Sequence, residues 1–215
     1  MGIIERKERE KKIRREDILK AAEAVFFAKG YEGATMDEIA NVAEYSKRTL
    51  YSYFQSKEQL LHGIIYRAYQ ALNGIVSDTL DEREDLNGIM KLKLLGKAYV
   101  RFIQLHPKYF EMIVLYNGAM SELPADDEFK VMSDLEGEKT FHYLVNLLQE
   151  GIKDSSVRAD IDVTKTAFVL YANIIGMSNL VLSKESYLLE HGVQAKEFIA
   201  EMFYFLEQSI ANHSD

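Results

Sequence analysis

Cysteine is missing from all 215 residues, which removes disulfides and thiolate zinc sites from the possible ways of holding this chain together. Proline is almost as scarce. Its two copies lie outside the periodic stretches, so nothing interrupts the long runs of 3.6-residue apolar spacing, and an all-α fold is expected. There is no G-x-S-x-G, no H-E-x-x-H and no phosphate-cradling glycine loop, so neither an enzyme nor a bound cofactor is expected. No His/Asp/Glu spacing resembles a metal site. The N-terminus is charged rather than apolar, which argues against a secretory signal and fits the cytoplasm.

Positive charge is also in deficit, and the overall −8 speaks against a nucleic-acid partner until it is divided along the chain. Residues 1–57 carry 12 Lys and Arg against 10 Asp and Glu; residues 58–215 carry 14 against 24. The acidity belongs to the larger C-terminal part. A polyanion approaching the N-terminal part meets local cations, while the acidic body limits indiscriminate sticking.

What is present centres on residues 35–57, TMDEIANVAEYSKRTLYSYFQSK. Thr35 and Glu38 form an S/T-x-x-E capping box, and Met36, Ile39, Ala40 and Ala43 follow at the spacing of one buried helical stripe. Ser46 caps a second helix, expected over residues 47–55, which buries Leu50 and Phe54. Two helices this short, joined by so few residues, cross steeply as in a helix-turn-helix. The second leaves Lys47, Arg48, Thr49, Tyr51 and Ser52 outward. Two cations and no carboxylate in a first turn oppose the helix dipole, an arrangement that a docked phosphate makes favourable. Ser56 and Gln59 repeat the capping signal ahead of a long helix.

These residues resemble the TetR-like transcriptional regulators over residues 14–62. The resemblance rests on Phe26, Gly30, Tyr31, Thr35, Ile39, Ala40, Ala43, Ser46, Lys47, Thr49, Leu50, Tyr51, Tyr53, Phe54, Lys57, Glu58 and Leu60. The family's turn reads A-G-V-S, whereas this chain has Ala43, Glu44, Tyr45 and Ser46, so Glu fills a position where Gly tolerates positive φ. The expected DNA-binding set is Thr35, Ser46, Lys47, Arg48, Thr49, Tyr51, Tyr53 and Lys57. Arg48, whose fork matches guanine, reads a base edge; Thr35, Lys47, Tyr53 and Lys57 hold phosphates.

The rest of the chain reads as helices around this unit. Residues 1–14 hold six Lys and Arg against three Glu. They read either as an arm along phosphates or a minor groove, or as a solvated extension of a helix. A first helix, over 15–30, ends at Gly30. Three helices over residues 15–60 make the small domain, centred on Phe26, Ile39, Leu50 and Phe54. Residues 61–215 form the second domain, with about nine helices in the whole chain. The uncharged stretch 166–183 touches the length of a membrane span, but Asn173, Ser178, Asn179 and Ser183 spoil it, and no membrane partner is expected.

Two further sites are expected. An apolar pocket is assigned to Phe102, Phe110, Ile113, Tyr116, Phe141, Tyr171 and Met177. The last two helices carry spare apolar rows, which imply a symmetric dimer through Ala172, Gly176, Asn179, Phe198, Met202 and Phe205. The resemblance implies the same interface. Together these readings describe a homodimeric repressor that binds double-stranded operator DNA and is released by an apolar small-molecule effector. The competing reading is a helical small-molecule carrier or sensor that binds no DNA.

Overall fold

The computed structural model of the protein describes residues 2–81, 83, 85–118 and 121–213. These residues form ten helices and no strand. In chain order they are α1 (Ile3–Gly33), α2 (Met36–Val42), α3 (Lys47–Tyr53), α4 (Lys57–Leu80), α5 (Gly88–Leu105), α6 (Pro107–Gly118), α7 (Glu128–Lys153), α8 (Val163–Ser183), α9 (Glu185–Glu190) and α10 (Ala195–Ile210). The short α9 is the element that apolar spacing did not anticipate. From composition a charged loop is expected over 81–85 and a loop of Gly, Ser, Pro and acids over 117–127, the first two residues of which belong to α6; positions 82, 84, 119 and 120 lie outside the described residues.

The chain divides into two compact units, Met1–Ala68 with Leu115–Leu135, and Tyr69–Val114 with Glu136–Asp215. This differs from a boundary at residue 60. The reason is Phe129, at the start of α7, whose ring lies 4.7 Å from that of Phe54. Arg15 sits over Phe129 at 4.5 Å and pairs with Glu128, so the head of α7 closes the first unit.

Within that unit Phe26, Ile39, Leu50 and Phe54 are fully buried, as the apolar stripes require. The charged segment before residue 15 is helical and continuous with α1. Gly30 breaks that helix with φ 75°, a conformation that lacks the Cβ penalty only for glycine. The Tyr31 ring then packs edge-on against Phe26, with centroids 5.4 Å apart.

In the second unit the N-terminus of α5 meets the end of α7. Gly88 and Gly151 let the two backbones approach so closely that a Cβ on Gly88 would lie 2.3 Å from the Gly151 backbone. Three donors are satisfied there. Gly88 N–H donates to Asp154 Oδ2 (2.6 Å), Ile89 N–H to Ser156 Oγ (3.1 Å) and Met90 N–H to Asn87 Oδ1 (3.1 Å). Burial raises the Asp154 carboxyl, but hydrogen bonds from Ser156 and Gly88 outweigh it and hold the group below the usual range.

Candidate nucleic-acid interface and ligand cavity

α3 is seven residues long, two fewer than its apolar spacing suggested, because Phe54 turns extended to enter the core. Ser46 caps it by accepting from Thr49 N–H (3.1 Å) and shares a second bond with the Thr49 hydroxyl (2.9 Å). That cap is worth about 1 kcal/mol. It also uses the Thr49 N–H and hydroxyl internally.

Those side chains are placed as the spacing required. Lys47, Arg48 and Ser52 are exposed, Tyr51 is 47% exposed, and Thr49 and Tyr53 are half-buried. Lys47 pairs with Asp37 of α2, both well exposed. Such a surface pair contributes at most about 1 kcal/mol. Arg48 makes no ion pair among the described residues.

Thr35 accepts from Glu38 N–H (3.2 Å), and hydrogen bonds from Lys29, the Thr35 backbone N–H and the Thr35 hydroxyl hold the Glu38 carboxyl below its usual range, which completes the capping box. One expected detail is corrected. Lys57, expected on a phosphate, donates instead to the carbonyls of Tyr31 (2.8 Å) and Ala34 (3.2 Å), with its ammonium 4.3 Å from the Tyr31 ring centre. It ties the end of α1 to the start of α4.

The turn between α2 and α3 keeps the geometry that glycine normally supplies. Glu44 has φ 58°, and Tyr45 N–H donates to Ala40 carbonyl (3.0 Å) across it. A side chain there costs roughly 1–2 kcal/mol, partly offset by the lower chain entropy of a non-glycine residue. Glu44→Gly is expected to stabilise the protein by about 0.5–1 kcal/mol, read as a higher midpoint in urea.

His62, on α4, is a satisfied core histidine. It is 1% exposed, with Nδ1 2.7 Å from Ser133 Oγ and Nε2 3.2 Å from Ser121 Oγ. Burial pushes its imidazole below the ordinary range and Lys130 adds to this, against the pull of Asp134, Glu58 and Asp127. The unfolded chain therefore binds this proton more readily than the folded one. Stability from this site is full at neutral pH and falls as the pH drops below about 6.5, the value of a free imidazole. Melting curves at about pH 7.5 and 5.5 should show the parent losing more than His62→Gln over that interval; equal losses would count against it.

The second unit holds a cavity of about 80 Å³ between α5, α7, α8 and α10. Phe141 and Tyr171 line it, as expected. Phe102, Phe110, Ile113, Tyr116 and Met177 do not. The first three are core residues at 0–2% exposure; Tyr116 belongs to the first unit, bonded to Asp134 with its ring 5.1 Å from His62. The α5 face toward the cavity is offset by one turn, through Tyr99 and Gly96, and a Cβ on Gly96 would lie 2.2 Å from the Phe203 ring. A lone glycine within an apolar helical stripe was the available signal.

The cavity's polar groups form two sets. Lys93 Nζ and Glu207 Oε2 pair at 2.8 Å. Tyr99 hydrogen-bonds Thr140, the Thr140 hydroxyl donates to Asn73 Oδ1 (2.7 Å), and Asn73 Nδ2 donates to the Glu136 carboxylate (2.9 Å). Burial pushes the Tyr99 phenol far up, so it remains a neutral donor. Asn73 lies on α4. One hydroxyl therefore links the cavity wall to that helix.

Ala172, Gly176, Phe198, Met202 and Phe205 line a groove between α8 and α10, with Met177 at its base. Asn179 lies exposed further along α8, and Phe205 is 69% exposed. α8 is long and apolar enough to cross a membrane by length and composition. Its outward face nevertheless carries Asn173 and Asn179.

Residues 18–64 match the family described as bacterial regulatory proteins, tetR family. The chain is 30% identical over 155 residues to the HTH-type transcriptional repressor KstR2 of Rhodococcus jostii (strain RHA1), covering 70% of this chain and 71% of that one. It is 31% identical over 121 residues to the HTH-type transcriptional activator FasR of Mycolicibacterium smegmatis (strain ATCC 700084 / mc(2)155), covering 56% and 54%. The fold is similar to that of AibR, solved in complex with isovaleryl coenzyme A and operator DNA. That likeness has a TM-score of 0.66 at 20% identity over 89% of this chain and 97% of AibR.

Proposed function

The chain belongs to the TetR family of bacterial regulatory proteins and is a DNA-binding transcriptional regulator, and from that premise we propose a cytoplasmic homodimeric repressor, released from its operator by an apolar small molecule. The observation that carries this reading is α3, whose Leu50 is fully buried while Lys47, Arg48 and Tyr51 face outward. The dimer reading is supported by the open groove between α8 and α10, whose exposed apolar residues a second copy would cover. Two such copies would set their reading helices about 34–36 Å apart, the spacing of successive major grooves.

The cavity supports the effector half of the proposal. At about 80 Å³ it is smaller than the roughly 300–1,000 Å³ of typical ligand sites, so an effector of ordinary size enters only by parting the surrounding helices. That displacement bears on Asn73 through Thr140, and α4 runs from Asn73 back to Lys57, next in sequence to the reading unit. Release requires that the effector bind the parted state better than the closed one; equal affinity shifts nothing.

A mobility shift with the DNA upstream of the protein's own gene tests the reading, with isovaleryl coenzyme A, present in the AibR complex and apolar only in its acyl group, as the first compound added. Retarded DNA that an effector frees supports it. Failure to retard any duplex at low salt would leave the carrier alternative. Thr140→Val, which cuts the link to Asn73, is expected to leave operator affinity within about threefold while weakening effector-driven release about tenfold, in the range of allosteric couplings of 1–3 kcal/mol.

A further inference from the structure

The segment before residue 15 is a helical part of α1. Glu5 accepts from the Gly2 N–H, and Glu10 pairs with Arg6. Arg15 is drawn inward by Glu128 and Phe129. Lys7, Lys11 and Arg14 recur at i, i+4 and i+7, which places them on one face; they are exposed and make no ion pair among the described residues. One turn beyond Arg14, Asp17 accepts from the Tyr45 hydroxyl (3.2 Å). Tyr45 immediately precedes the cap of α3. Arg14 also lies close enough to Tyr45 to pull its phenol down, against the burial and the Asp17 contact that raise it.

We propose that Lys7, Lys11 and Arg14 form a helical rail that grips the phosphates of duplex DNA flanking the half-site read by α3. This rests on the regulator reading above and extends it from the reading helix to α1. The three cations span about 10 Å along the helix axis at 1.5 Å per residue. A duplex offers one negative charge per roughly 1.7 Å, so each cation meets a phosphate without distortion of the helix. A helix, unlike an extended arm, is too wide for the minor groove of about 6 Å. Contact is therefore with the backbone, and it adds affinity and salt dependence without sequence preference.

The test compares the full-length parent with the triple variant Lys7→Gln, Lys11→Gln, Arg14→Gln on an operator with long flanks and on one trimmed to the half-sites. Glutamine keeps the helix, which circular dichroism checks. On long DNA the slope of log affinity against log salt should fall by about 0.9 per lost phosphate contact, or about 2.7 per protomer. On trimmed DNA the two proteins should converge. The double variant Arg9→Gln, Lys12→Gln, on the opposite face, should keep the parent's slope. Unchanged slope in the triple variant, or an equal fall in the double, overturns the rail and leaves the regulator reading standing. A parent that binds no duplex removes both.

Discussion

Arg48→Ala should bind its operator about 10- to 100-fold more weakly while holding unrelated DNA almost as well as the parent does. Arg48 is exposed on α3 and has no ion pair among the described residues, so its removal leaves no buried group unsatisfied and little effect on folding is expected. A guanidinium that meets guanine O6 and N7 contributes about 1–3 kcal/mol of discrimination, which sets the size of the effect. The control is Lys47→Ala. Lys47 is proposed to meet a phosphate after leaving Asp37, so its loss weakens every sequence alike and flattens the salt dependence by about one unit. Competition between operator and random duplex separates the two outcomes. An Arg48→Ala protein with the parent's ratio between them would refute the base-reading role.

Gly88→Ala is expected to produce the largest loss of stability. The added carbon would lie 2.3 Å from both the nitrogen and Cα of Gly151, which are backbone atoms of α7 and have no rotamer to change. Relief must come from moving α5, and with it the bonds from Gly88 to Asp154 and from Ile89 to Ser156. Overpacking against side chains costs roughly 1–3 kcal/mol. Against backbone, with two hydrogen bonds at risk, about 3–5 kcal/mol is expected. Gly74→Ala, on an exposed face of α4, is the contrast, since nothing lies within 4 Å of its Cβ position. In a thermal melt the first should fall far below the parent and the second stay near it. A Gly88→Ala protein that melts with the parent would show that the α5–α7 approach is looser than described.

Most of the local structure was legible in the sequence, for local reasons. Thr35, Ser46, Asp162 and Asn87 each accept from an N–H three residues ahead, a contact set by spacing alone. The apolar stripes predicted which side of α2 and α3 is buried, and hence which is left exposed. Glu44 is the instructive case. Its identity argues against a left-handed turn, yet the helices on either side impose φ 58°, because tertiary packing outweighs a local penalty of 1–2 kcal/mol.

The sequence by itself determined the helices, their caps, the buried centre of the small domain and the outward set on α3, since all of these depend on residues within a few turns of one another. Tertiary structure alone decided that Lys57 is spent on the carbonyls of Tyr31 and Ala34, that Phe129 seals the first unit, and that the cavity opens on Tyr99 and Thr140 rather than on Phe102 and Phe110. Each of those depends on which turn of one element meets which turn of another, and apolar spacing fixes the buried stripe without saying which neighbour fills it.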